Sequence, residues 1–114
     1  MRLSLLRRGC ERAGRLDEAG EVYLRLTAFR SRFHGAESPE AAAPTHRLGR
    51  VLLAQGRFEE AEEILRRSMV AYENADPRHP HQLAEVLESY ADLMEATGRP
   101  RRARTLRRRA ATLR

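Results

Sequence analysis

One six-residue pattern occurs three times in this chain at a constant interval, and it limits the possible folds more than any other feature. The copies are Gly14-Arg15-Leu16-Asp17-Glu18-Ala19, Gly56-Arg57-Phe58-Glu59-Glu60-Ala61 and Gly98-Arg99-Pro100-Arg101-Arg102-Ala103. Gly14 to Gly56 and Gly56 to Gly98 each span 42 positions. A fixed period of this length marks a stacked array, in which each unit buries its apolar face only against its neighbours. Arrays of this kind present surfaces for binding and seldom catalyse.

The middle unit shows how each repeat is built. From Ala42 to Gln55, Leu48, Val51, Leu52 and Ala54 recur at three- and four-residue spacing, which predicts a helix with one buried face. Gly56 ends that helix, because glycine takes left-handed backbone angles without a Cβ penalty. A second helix is predicted from near Arg57, with Glu59, Glu60, Glu62 and Glu63 in its first turns, where carboxylates favour the helix dipole and are read as solvated. Pro77 and Pro80 then interrupt the connection to the next unit. Each unit is therefore helix A, tight turn, helix B and proline-containing loop.

Shifting by one period aligns packing positions. Leu6, Leu48 and Tyr90 coincide in helix A, as do Cys10, Leu52 and Met94. In helix B, Ala19, Ala61 and Ala103 coincide, followed by Val22, Ile64 and Leu106. The recurring alanine predicts close approach of the two helices of a unit. Three positions depart from the pattern. Arg7 aligns with Gly49 and Ala91, Arg107 aligns with Leu65, and Pro44 lies inside helix A of unit two.

Composition is consistent with helices. Aromatics make up 5% of the 114 residues and the apolar positions are mostly Leu, Ala and Val, which disfavours a sheet. All basic residues are Arg, as a GC-rich coding sequence would produce. The net charge of +6 resembles a nucleic-acid signal until it is located: residues 99–114 hold eight Arg and no acid, so the rest of the chain sums to −2. Cys10 is the single cysteine, which excludes an intrachain disulfide and suggests a reducing cytoplasm. The first ten residues only loosely mimic a secretory leader, since Arg7-Arg8 breaks a short apolar stretch. No apolar run approaches the roughly 20 residues that span a bilayer.

The Gly49, Ala61, Leu65 and Ser68 spacing and the Gly-Arg-Phe-Glu-Glu-Ala turn resemble a tetratricopeptide repeat. The 42-residue period and the Asp76-Pro77-Arg78-His79-Pro80 linker are similar to the kinesin-light-chain type, which is abundant in bacteria and implies a bacterial source. The resemblance implies an all-α fold of six helices in three antiparallel pairs, stacked as a right-handed superhelix. Unit one would cover residues 1–38, unit two 39–79 and unit three 80–114, as an array or as the C-terminal end of a longer one.

No Ser–His–Asp set, phosphate-cradling glycine loop or HExxH helix is present, so no enzymatic activity and no cofactor are expected. His79 and His81 lack a third ligand nearby, so no metal is expected. The resemblance places a peptide-binding groove along the A helices. Its wall in unit one would carry Ser4, Arg8 and Arg12, in unit two His46, Arg50 and Leu53, and in unit three Glu85, Glu88, Asp92 and Glu95. Such a groove is cationic at one wall and anionic at the other, and it would bind a protein or peptide partner. The plainer alternative is that Arg50 pairs with Glu88 or Asp92 across adjacent helices, leaving solvated surface. A competing functional reading is polyanion or nucleic-acid binding through the terminal helix, where Arg101, Arg104 and Arg108 lie among the basic residues opposite Ala103, Leu106, Ala110 and Leu113. The same arginines also suit a solubilising end cap. Membrane association is not expected, since aromatic anchors are missing. Leu3, Leu5 and Leu6 open the chain with no preceding helix to cover them, which predicts either a longer array or self-association through helix A of unit one.

Overall fold

A computed structural model describes the backbone of residues 2–75 and 78–114 and the side chains of residues 13–75 and 78–114. Among the described residues the fold is all-α, with helices α1 (Arg2–His34), α2 (Pro39–Ala54), α3 (Phe58–Glu73), α4 (Pro80–Ala96) and α5 (Pro100–Thr112). Each helix packs on the next in sequence, and α2 also touches α4. Short turns between helices make consecutive neighbours antiparallel.

The turns inside the two C-terminal pairs form as the repeated pattern predicts. At the end of α2, Gly56 has φ +75°. Its N–H donates to Leu53 O at 3.0 Å, and the Arg57 N–H donates to Leu52 O at 2.9 Å. Gly98 repeats this geometry with φ +76°, donating to Glu95 O while Arg99 donates to Met94 O. Both are Schellman closures that satisfy carbonyls at the helix end.

Unit one departs from expectation. Gly14 lies within α1, outside the left-handed region, and α1 runs unbroken through it. The described residues therefore form five helices and not three antiparallel pairs. Gly49 supplies the physical reason. A Cβ added there would lie 2.6 Å from Leu65 Cδ2, so the α2–α3 hairpin packs Leu65 against a position that holds no large side chain. Unit three has Ala91 in the same place. A hairpin of this kind in unit one would have to fit Arg7 against Tyr23, the residue aligned with Leu65. Without tertiary packing to hold a turn, local helix propensity wins, and a mid-helix glycine costs only about 1 kcal/mol.

α2 begins at Pro39, earlier than the sequence reading placed it, because Ser38 caps it: its Oγ accepts from the Ala41 N–H at 3.2 Å. Pro44 sits inside this helix and lacks the N–H that would bond Glu40 O. Arg30 of α1 donates to that carbonyl at 3.1 Å, which satisfies it and ties the two helices together.

The core lies between α2 and α5. One cluster joins Leu48, Leu52, Ala61, Leu65, Tyr90, Ala91, Leu93, Met94 and Ala103. A second joins Ala42, Ala71, Tyr72, Leu83, Val86, Leu87 and Ala110. The aligned alanines Ala61 and Ala103 are fully buried, as close helix contact requires. Ala19 is only half-buried, because among the described residues no helix covers that face of α1. α1 contributes Tyr23 at the edge of the first cluster.

Candidate functional site

The A helices of the two closed units, α2 and α4, lie side by side and carry the residues that the sequence placed in a groove. His46 is not presented to solvent. It is 8% exposed, and its Nε2 shares a 2.8 Å hydrogen bond with Ser89 Oγ on α4. Burial lowers its pKa to about 4, assisted by the charges of Arg50 and Arg47. A neutral His46 is thus a polar pin between α2 and α4.

The carboxylate row of α4 is turned to its own hairpin partner. Arg114 holds Glu88 at 2.6 Å, while Arg107 holds Asp92 at 2.8 Å and also pairs with Glu95. Arg107 keeps the Glu95 carboxyl below the usual range, mainly through its hydrogen bond. The expected pairing of Arg50 with Glu88 or Asp92 is therefore corrected: α5 supplies the cations. Position 107 aligns with Leu65 of the packing face, and an arginine there sits at the rim of the α4–α5 contact, where both carboxylates are within reach.

Arg50 is exposed, as is Arg47 one turn before it, and neither has a carboxylate partner among the described residues. Together with Leu16, Tyr23, Val51 and Ala54 they line a recess of about 280 Å³ between α1 and α2. Sequence reasoning found Arg50 but missed Arg47, Leu16 and Tyr23. The three-residue spacing of Arg47 and Arg50 was a usable signal, whereas Tyr23 joins only because α1 packs on α2. Leu53 is half-buried against the core, and Glu85 is exposed on α4. Ser4, Arg8 and Arg12, with Cys10 and the leucines at positions 3, 5 and 6, lie outside the described side chains.

Glu62 was read as a solvated carboxylate of the first turns of helix B, and this is corrected. It is half-buried and accepts from Tyr90 Oη at 3.2 Å and from Arg99 Nη2 at 3.2 Å, with Arg66 3.7 Å away. Burial pushes its carboxyl pKa up, but the Arg99 and Tyr90 hydrogen bonds and the Arg99 and Arg66 charges outweigh this and leave it lowered. Glu62 links α3, α4 and the turn before α5. Its neighbour Glu63 is an exposed partner of Arg67.

Arg107 and Arg109 on α5, and Arg114 just past its end, are engaged by acids of α4 and α3. Arg101, Arg104 and Arg108 lie on the outer face, exposed, with no carboxylate partner among the described residues, and Arg102 shares that condition. Among the described residues no group of three or more His, Cys, Asp or Glu could hold a metal ion. No helix there is long and apolar enough to cross a membrane.

Successive antiparallel helices closed by glycine turns define a helical repeat. The tetratricopeptide-repeat family model matches residues 9–74, more than half of the sequence. The chain belongs to the tetratricopeptide-repeat family, whose members serve as scaffolds for protein–protein contacts. The match ends before α4 and α5, which repeat the geometry of α2 and α3. No curated protein and no solved structure matches the chain.

Proposed function

We propose that the chain binds a partner protein along the inner face of α2 and α4, with Arg47 and Arg50 receiving an acidic segment. The observation that carries this reading is the pair Arg47 and Arg50, without a carboxylate partner among the described residues, beside an apolar recess. An arginine fork can hold a carboxylate with two parallel hydrogen bonds, while Leu16, Tyr23 and Val51 offer contact area for an adjacent apolar side chain. Three acids of α4 do not compete for these cations, because Arg107 and Arg114 engage Glu88, Asp92 and Glu95. The groove is therefore more cationic than the row of α4 carboxylates suggests. In the same proposal the units run over residues 1–38, 39–79 and 80–114, the 42-residue period and the proline-containing linker support the kinesin-light-chain type of repeat and a bacterial source, and the single Cys10 supports a reducing cytoplasm.

A second reading rests on Arg101, Arg104 and Arg108, whose outward face suits a polyanion. One titration separates the two. A short labelled peptide of alternating Glu and Leu, followed by fluorescence anisotropy, should bind the wild-type chain and lose at least about tenfold in affinity with Arg50→Glu, which is about 1.4 kcal/mol. Arg104→Glu should leave binding unchanged. Loss with Arg104→Glu but not with Arg50→Glu would move the site to α5.

A further inference from the structure

α1 presents an apolar stripe that no other described element covers. Ala19, Val22, Leu26, Phe29 and Phe33 follow one another at intervals of three and four residues, the spacing of a helix–helix seam. Val22, Phe29 and Phe33 are 53%, 62% and 65% exposed. The Phe29 and Phe33 rings lean together with centroids 4.7 Å apart, forming one aromatic ridge. This face is distinct from the one that meets α2, where Gly20, Tyr23, Thr27 and Arg30 make the contacts.

The 42-residue period shows what kind of surface this is. The aligned positions on α3 are Ala61, Ile64, Ser68 and Ala71, of which Ala61, Ser68 and Ala71 are essentially inaccessible. The helix that covers them is α2: Ser68 donates to Ala42 O, and Gly49 lies against Ile64 and Leu65. The stripe on α1 is thus the face by which a B helix receives another helix. Its own helix A is a poor occupant, because Arg7 stands where that contact needs a glycine or alanine.

Charge identifies a better one. Glu18, Arg25 and Arg32 are spaced by seven and line a single flank of the stripe, acidic at one end and basic at the other. In a parallel two-fold pair the two copies of this flank would lie on opposite sides of the seam and could not meet. Antiparallel pairing sets Glu18 of each copy beside Arg32 of the other, twice per dimer by two-fold symmetry. Arg25 then falls near the axis, where its long side chain reaches water. We propose that the 19–33 stripe of α1 pairs antiparallel with the same stripe of a second copy of this chain, through the Val22–Leu26–Phe29–Phe33 seam and reciprocal Glu18–Arg32 ion pairs.

Sedimentation equilibrium over micromolar to near-millimolar concentration tests this. Wild type should pass from the 13.1 kDa monomer to twice that mass. Phe29→Glu should stay monomeric with an unchanged helical circular dichroism signal, since residue 29 makes no core contact. Val70→Glu, a charge placed on an exposed apolar residue of α3, should dimerise like wild type. Glu18→Arg and Arg32→Glu should each weaken dimerisation about tenfold, and the double exchange should restore it. A chain that stays monomeric throughout overturns the proposal, as does a dimer indifferent to Phe29→Glu. A double exchange no better than the single variants overturns the antiparallel arrangement.

Discussion

A single histidine sets the pH response of the α2–α4 contact. Unfolded, an imidazole takes a proton near pH 6.5; in the fold His46 does so only near pH 4, because protonation would place a buried charge beside Arg47 and Arg50. The folded pKa is the lower one, so between about 4 and 6.5 the unfolded chain binds more protons than the folded chain. The contribution of neutral His46 is therefore fully present above pH 6.5 and is lost as pH falls toward 4, on the order of 3 kcal/mol in total. Urea unfolding at pH 7 and pH 5 should show a lower midpoint at pH 5 for wild type. His46→Gln, which keeps a donor for Ser89 and removes the titration, should narrow that difference. A wild-type midpoint that does not move between the two pH values would count against a buried neutral His46.

At the scale of the element, the same local pattern produced a turn twice and a straight helix once. The difference gives opposite predictions for two aligned glycines. Gly14 is helical, and an added Cβ would meet nothing within 4 Å, so Gly14→Ala should stabilise the chain by about 0.5–1 kcal/mol. Gly56 is in the left-handed region at φ +75°, where an added Cβ strains the backbone, so Gly56→Ala should destabilise by about 1 kcal/mol or more. Thermal unfolding of the two variants checks both. Destabilisation by Gly14→Ala would mean that unit one turns as units two and three do. The turn pattern was legible in the sequence at all three sites, but what holds a turn closed is the contact between the two helices it joins. That contact depended on Gly49 and Ala91, with Arg7 as the aligned exception. The carboxylate row of α4 was legible as a row in the same way. Its partners were not, because the pairing of Asp92 and Glu95 with Arg107 spans 15 and 12 residues and depends on how α5 crosses α4.

Across the whole molecule, stability should fall from the C-terminal side toward α1. Helices α2 to α5 share the two core clusters, whereas among the described residues α1 meets only α2 and places one side chain, Tyr23, against them. Local opening is easiest where few apolar contacts are made. Hydrogen exchange should find amides of residues 15–34 markedly less protected than those of 84–94 in α4, whose apolar residues are almost entirely buried. Dimerisation through the α1 stripe should raise α1 protection at high protein concentration and leave α4 unchanged. Uniform protection along the chain would show that α1 is as firmly held as the core.

The sequence alone determined the period, the helical class, the closing turns of units two and three and the packing alanines Ala61 and Ala103. All of these follow from periodicity and local backbone preference, which act over one or two helical turns. Only the tertiary structure decided that unit one remains a single helix, that His46 is buried, that Glu62 bridges three elements and that α5 engages the acids of α4. Each of those outcomes depends on which side chain a neighbouring helix brings opposite, and a repeat written as one pattern does not record it.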